Sequence, residues 1–161
     1  MNEYQQFALQ TDQNSKPGYA GLKFPILGLF GEVGSLLSEL KKKQRDADSY
    51  VGYADSVVEE FGDVLWYFAN IAQRANLNLE VLAKRAFLKL DDWDKVETHD
   101  FSTFGDLQSK PEHVGPVSNE KFEHGAIALG GKVGCLLDEV SSGRIEANRD
   151  VLSARLVEIF R

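Results

Sequence analysis

At 161 residues, 43% of them hydrophobic and 27% charged, the chain has the make-up of one ordinary soluble domain, or two very small ones, and not of a disordered polymer. Its 25 acidic residues against 18 basic ones leave a net charge of −7, which argues against nucleic-acid polymers as partners but not against a nucleotide whose charge a metal neutralises. A lone cysteine, Cys135, excludes an intrachain disulfide and suits a reducing compartment.

Nearly the whole sequence reads as helix, and its four prolines, Pro17, Pro25, Pro111 and Pro116, fall in expected connections. A first short helix is predicted from Asn2 to about Thr11. The opening stretch MNEYQQFALQ has no basic segment followed by an apolar run, so no secretory signal and a cytoplasmic location are expected. Residues 11–21, with Asn14, Ser15, Pro17 and Gly18, read as a loop. From Phe24 to about Lys43, Ile26, Leu29, Val33, Leu36, Leu37 and Leu40 recur at three- and four-residue spacing, the mark of an amphipathic helix. Lys41, Lys42, Lys43 and Arg45 close it, where positive charge complements the helix dipole. A third helix is predicted from about Tyr53 to Ala75. Its stretch 64–69 is apolar on every side and is expected to be buried all round. Residues 76–78 break it, and a fourth helix follows from Leu79 to about Trp93. No run approaches ~18 uninterrupted apolar residues, so no membrane span is expected. Residues 95–119 mix Gly, Ser, Pro, His and Asp without periodicity and read as a linker between a helical domain, 1–94, and a remainder, 120–161.

That remainder carries an internal repeat. Residues 29–39, LFGEVGSLLSE, recur as 129–139, LGGKVGCLLDE, with seven of eleven positions identical, two of them glycines that helical patterning does not demand. Residues 156–160, LVEIF, resemble 57–61, VVEEF. We read 120–161 as a diverged partial copy of the second and third helices, broken off mid-pattern at Arg161.

Two acidic groups carry the chemistry. Glu32 and Glu39 stand two turns apart, pointing within about 20° of each other at the border of the apolar stripe. Glu59, Glu60 and Asp63 lead into the apolar stretch, and Asp63 can converge with either glutamate at i,i+3 or i,i+4. Like charges there repel, and an acid beside a buried helix is costly unless paired, protonated or metal-bound. A Mg²⁺ or Mn²⁺ ion, which takes oxygen ligands, resolves both difficulties if the two helices pack against each other. The plainer alternative is that these are solvated acids at ordinary helix positions.

Residues 31–35, GEVGS, followed after 24 residues by 60–67, EFGDVLWY, resemble the MazG-like all-α nucleoside triphosphate pyrophosphohydrolases, marked by ExxE, a gap, then ExxD. The resemblance covers about residues 2–94, with a weaker echo at 120–161. It implies an all-α helical bundle, here completed or extended by the partial repeat. It further implies hydrolysis of a nucleoside triphosphate, NTP or dNTP, to monophosphate and pyrophosphate with bound Mg²⁺. Glu32, Glu60 and Asp63 carry over as metal ligands and catalytic acids by direct match. Ser35 stands where the family has its second glutamate, so Glu39 is taken as the fourth ligand by geometry. Glu59 is the candidate for orienting the attacking water, or else a surface acid. Two other readings stand beside this one: a catalytically inactive helical dimerisation or regulatory module, and a phosphoribosyl-nucleotide pyrophosphohydrolase.

Supporting residues follow. Lys42, Lys43 and Arg45 can meet phosphate, or simply be solvated. Lys89 matches a lysine the family uses on its fourth helix, although Ala86 replaces the asparagine three positions earlier. Trp66 and Tyr67 flank a base or pack in the core. Tyr19 and Phe24 sit where the family places base-stacking aromatics. His99, His113 and His124 have no ligand spacing, and Cys135 falls on a core-like helix face. Gly28, Gly31 and Gly34 each cost a helix about 1 kcal/mol, so close helix approach is expected there. In the second copy Lys132 replaces Glu32, Cys135 replaces Ser35 and Ile159 replaces Glu60, so that site is lost. Family members pair helical subunits, which implies either a homo-oligomer or an internal pseudo-dimer whose repeat supplies a partner's helices.

Overall fold

The computed structural model describes residues 2–13, 16, 18–87, 119–145 and 148–161. Lys89, His99, His113, the end of the expected fourth helix and the expected linker, apart from Asn119, lie outside them. The described chain is all-α: α1 (Asn2–Thr11), α2 (Lys23–Asp46), α3 (Tyr53–Arg74), α4 (Leu79–Phe87), α5 (Asn119–Ser141) and α6 (Arg149–Phe160), with 3₁₀ turns at Gly18–Gly21 and Ala47–Ser49. No strand occurs among the described residues.

The helix ends follow from local chemistry. Pro25, expected in a connection, is the third residue of α2, where no intrahelical acceptor waits for its missing N–H. Helix α3 stops where Asn76 takes a left-handed conformation (φ 54°), letting the Leu77 N–H reach the Ala72 carbonyl at 2.8 Å. Gly143 (φ 73°) closes α5 in the same way through Arg144 and Glu139. Asn148 caps α6 by accepting from the Asp150 and Val151 amides. Gln5, buried on α1, donates to the Leu77 carbonyl and accepts from the Leu79 amide, so a side chain from α1 closes the turn into α4.

Helix α2 is the centre of the molecule. Its stripe of Ile26, Leu29, Val33 and Leu36 is buried between α3 on one side and α5 on the other. Phe68, Ile71 and Ala72 of α3, Val133 and Leu136 of α5, and Leu152 and Leu156 of α6 complete the same core. Each such leucine contributes about 1.5–3 kcal/mol through burial. The stretch 18–49 contains a window long and apolar enough to cross a membrane by length and composition alone. Of that window 39% is buried, and Phe24, Leu27 and Phe30 of α2 are exposed. Of residues 64–69, Val64, Phe68 and Ala69 are buried, whereas Leu65, Trp66 and Tyr67 are half-buried. The expectation of burial all round fails for Trp66 and Tyr67 because one side of α3 borders a cleft instead of another helix.

The repeated segments meet each other. Gly130 lies against Val33 and Leu37, Gly134 against Phe30, and Gln44 donates to Glu123 at 2.6 Å. Falling numbers on α5 meet rising numbers on α2, so the helices are antiparallel and the two LxGxVG-type motifs cross near their centres. Two copies of one helix adopt this arrangement across a two-fold axis.

The glycines of α2 divide. A Cβ on Gly28 would overlap the Tyr67 ring, whereas Gly31 and Gly34 face open space, contrary to the expected close approach there. Gly31→Ala and Gly34→Ala are expected to raise stability by up to about 1 kcal/mol each through helix propensity. Gly28→Ala is expected to lower it by about 1–3 kcal/mol through overpacking against Tyr67. Urea denaturation of the three variants checks this; a loss at Gly31 would show that a neighbour covers that face.

Candidate metal centre and adjoining cleft

Helices α2 and α3 are antiparallel, and their register sets the site. Gly28 faces Tyr67, and Tyr50 joins Glu39 to Ser56. Between those two contacts Glu32, Glu60 and Asp63 converge, with one carboxylate oxygen from each lying within 4.8 Å of the others. Glu32 and Glu60 are half-buried and Asp63 is exposed. Partial burial, then the charges of Asp63 and Glu60, push the Glu32 carboxyl above the ordinary glutamate range. Three of the four expected ligands are therefore brought together.

The fourth is not. Glu39 is buried, its carboxylate held by Lys42 at 2.5 Å and by the Tyr50 hydroxyl. Those two hydrogen bonds hold it below the usual carboxylate range. Glu39 does share the flank of Glu32, as its spacing requires, but two further turns of α2 carry it past the trio and, through Tyr50, toward Ser56. Glu59 is exposed and outside the trio. Lys43 donates to the Ala47 carbonyl at 2.7 Å, and Arg45 pairs with Asp46, so both serve the end of α2.

Beside the trio opens a cleft of about 820 Å³ between the end of α1, the 3₁₀ turn, the start of α2 and the middle of α3. Phe24, Leu27, Trp66 and Tyr67 give it apolar walls, and Asp12, Lys16 and Lys23 line its polar parts. Trp66 and Tyr67 pack edge to face, and the Trp66 indole donates to Thr11 at 2.8 Å, tying α1 to α3. Arg74 pins the loop by donating to Asp12 and to the Lys16 carbonyl, where Gly21 leaves no room for a side chain. Tyr67 joins the cleft to the trio: burial, then Glu32 and Asp63, raise its phenol, which stays a neutral donor. Burial and Asp63 act likewise on Tyr4 of α1. Tyr4, Asp12 and Lys16 carry no sequence signal, since nothing local shows that α1 and the loop fold over α3. Tyr19 packs against the core and does not line the cleft. Cys135, expected in a core-like position, is exposed, since no described helix covers that flank of α5.

In the second half, the Lys132 ammonium donates to the Glu158 backbone oxygen at 2.5 Å. Glu139 accepts a two-pronged bond from Arg155, at 2.9 and 2.5 Å. Ile159, in place of Glu60, is buried.

Because the folded state holds the Glu32 proton more tightly than the unfolded chain does, stability falls as pH rises from the ordinary carboxylate range through the raised value, and the loss is complete above it. Glu32→Gln without metal is therefore expected to raise Tm at pH 7 by about 2–4 °C per kcal/mol of repulsion relieved, with little change at pH 4. Thermal denaturation at both pH values checks this; a lower Tm at pH 7 would mean that Glu32 has a structural partner.

No protein-family model matches the chain, and no solved structure matches it. A stretch of 72 residues, 44% of the chain, is 35% identical to the Gene 37 protein of Mycobacterium phage L5. The matched part covers 63% of that protein, so the chain spans just under two-thirds of the length of this curated relative.

Proposed function

We propose that the chain is a Mg²⁺- or Mn²⁺-dependent nucleoside triphosphate pyrophosphohydrolase. The observation that carries this reading is the convergence of Glu32, Glu60 and Asp63 at the edge of an aromatic-walled cleft. The motif resemblance to the MazG-like family supports it from the sequence side. The donor set fits the ion: three carboxylates from two helices, crowded enough to raise Glu32, offer hard oxygen ligands and negative charge, with coordination completed by water and phosphate. When bound, such an ion neutralises phosphoryl oxygens and lowers the pKa of a coordinated water.

The protein's own groups do the remaining work. Phe24, Trp66 and Tyr67 offer flat apolar surfaces to a base, and the tyrosine hydroxyl sits where base end and phosphate end meet. Lys16 and Lys23 bring positive charge to the cleft. Fixing the nucleoside on one side of the trio sets the α-phosphorus for in-line attack by water, with pyrophosphate leaving. Ser35, in place of the family's second glutamate, favours a second reading, a nucleotide-binding module without turnover.

Pyrophosphate release over a panel of NTPs and dNTPs separates the two. Turnover with Mg²⁺ or Mn²⁺ is expected, abolished by chelator and lowered at least about 100-fold in Asp63→Asn, whose stability without metal is preserved or raised. Metal and nucleotide binding with no release for any substrate would favour the binding module; no metal binding at all would end both readings.

We also propose that α5 and α6 stand in for the helices of a second subunit. The supporting observation is the antiparallel crossing of α2 and α5 at their shared motif. A chain ended after Thr98 would expose Val33 and Leu36, and is expected to pair with itself or aggregate in size-exclusion experiments. A soluble, folded monomer would refute the proposal.

A further inference from the structure

Lys42 stands at the far end of the row that begins with the cleft. Along the α2–α3 groove come Gly28 with Tyr67, then Glu32, Glu60 and Asp63, then Glu39 with Tyr50 and Ser56. Glu32 and Glu39 are separated by about 10 Å of helix axis, and Lys42 reaches back to Glu39. Its side chain is 45% exposed, while that of Glu39 is 7% exposed. Its ammonium pairs with Glu39 and with no acid of the trio, although the charge of Glu60 reaches it. Of its three donors, Glu39 engages one.

An ammonium beside three carboxylates would ordinarily fall among them and displace a metal. In the second half, where the acids are lost, Lys132 stands at the position of Glu32 and bonds the Glu158 backbone oxygen. What restrains Lys42 is a buried acid, itself fixed by Tyr50, which in turn bonds Ser56 at 3.0 Å. The second half keeps this use of the position: Glu139, the counterpart of Glu39, grips the guanidinium of Arg155. In both copies the glutamate at this register holds a cation belonging to the chain.

We propose that Lys42 binds the distal phosphates of the substrate, and the pyrophosphate released from it, while Glu39 and Tyr50 are positioning residues that keep its ammonium out of the acid trio. This rests on the pyrophosphohydrolase reading and deepens it. A base in the cleft and an α-phosphate at Glu32, Glu60 and Asp63 leave the β- and γ-phosphates pointing along the groove to Lys42. Lys42 thus supplies positive charge on the side where Ser35 replaces an acid and weakens the case for a second ion.

The test uses the full chain, with calorimetric titration of Mn²⁺ alone and of inorganic pyrophosphate in the presence of Mn²⁺. Lys42→Ala should leave Mn²⁺ affinity within about two-fold of the parent and weaken pyrophosphate about ten-fold, the effect of one charge-assisted hydrogen bond. Glu39→Gln should weaken Mn²⁺ about ten-fold, because the released ammonium competes for the trio. The double variant Glu39→Gln with Lys42→Ala should recover Mn²⁺ affinity. If the double variant stays as weak as Glu39→Gln, Glu39 is itself a ligand and the proposal is overturned; unchanged pyrophosphate affinity in Lys42→Ala overturns it equally. Circular dichroism checks the fold, and if Glu39→Gln unfolds, Tyr50→Phe with and without Lys42→Ala carries the same comparison, in the same direction and smaller. A parent chain that binds no Mn²⁺ ends the enzyme reading and this proposal together. Normal Mn²⁺ binding and turnover with a negative Lys42 result ends this proposal alone.

Discussion

Three like charges crowded between two packed helices constrain everything else in this molecule. Helix α2 cannot turn its acids outward without also turning Ile26, Leu29, Val33 and Leu36 out of the core. Helix α3 is held in the same way by Phe68, Ile71 and Ala72. Apolar burial thus forces Glu32, Glu60 and Asp63 together, and their repulsion is the cost of that packing. Under the proposed metal-dependent function, acids pressed together by core formation are preorganised for a cation.

The surroundings of the trio keep that negative charge from being neutralised internally. Lys42, which the charge of Glu60 reaches, is tied to Glu39. Arg74, which approaches the cleft from α3, is taken up by Asp12 and the Lys16 carbonyl. Arg45 is paired with Asp46 at the end of α2. The two tyrosines near the trio, Tyr4 and Tyr67, have phenols raised by burial and neighbouring acids, and so add neutral donors and no charge. The second half went the other way. There Lys132 stands in place of an acid and Ile159 is buried where an acid would be, so apolar packing and an internal hydrogen bond replace the charged centre.

Much of this was legible in the order of residues, and the exceptions share a cause. The spacing of Leu29, Val33, Leu36 and Leu40 marks the buried face of α2, and the ExxD spacing of Glu60 and Asp63 puts both on one flank of α3. Asn76 announces the end of α3 because a left-handed residue is needed there. Helical phase tells direction and not height: Glu39 shares the flank of Glu32 but belongs to another level of the groove, and its neighbour there, Tyr50, lies in the connection. Trp66 and Tyr67 look like core from composition alone, and only the folding of α1 and its loop over α3 turns their outer edges into the wall of a cleft. Helical phase puts Cys135 on a core-like face and the helix cost of glycine puts Gly31 at a close approach, but neither argument says which faces the neighbouring described helices cover.

The crossing of α2 and α5 has a consequence for behaviour at low abundance. Where two identical helices must find each other in solution, the assembled fraction falls on dilution and a few copies per compartment leave most molecules apart. Here both halves share one polypeptide, so the encounter is intramolecular and its effective concentration is set by chain length alone. The packing of α2 against α5 therefore forms as readily in a solitary molecule as in a crowd.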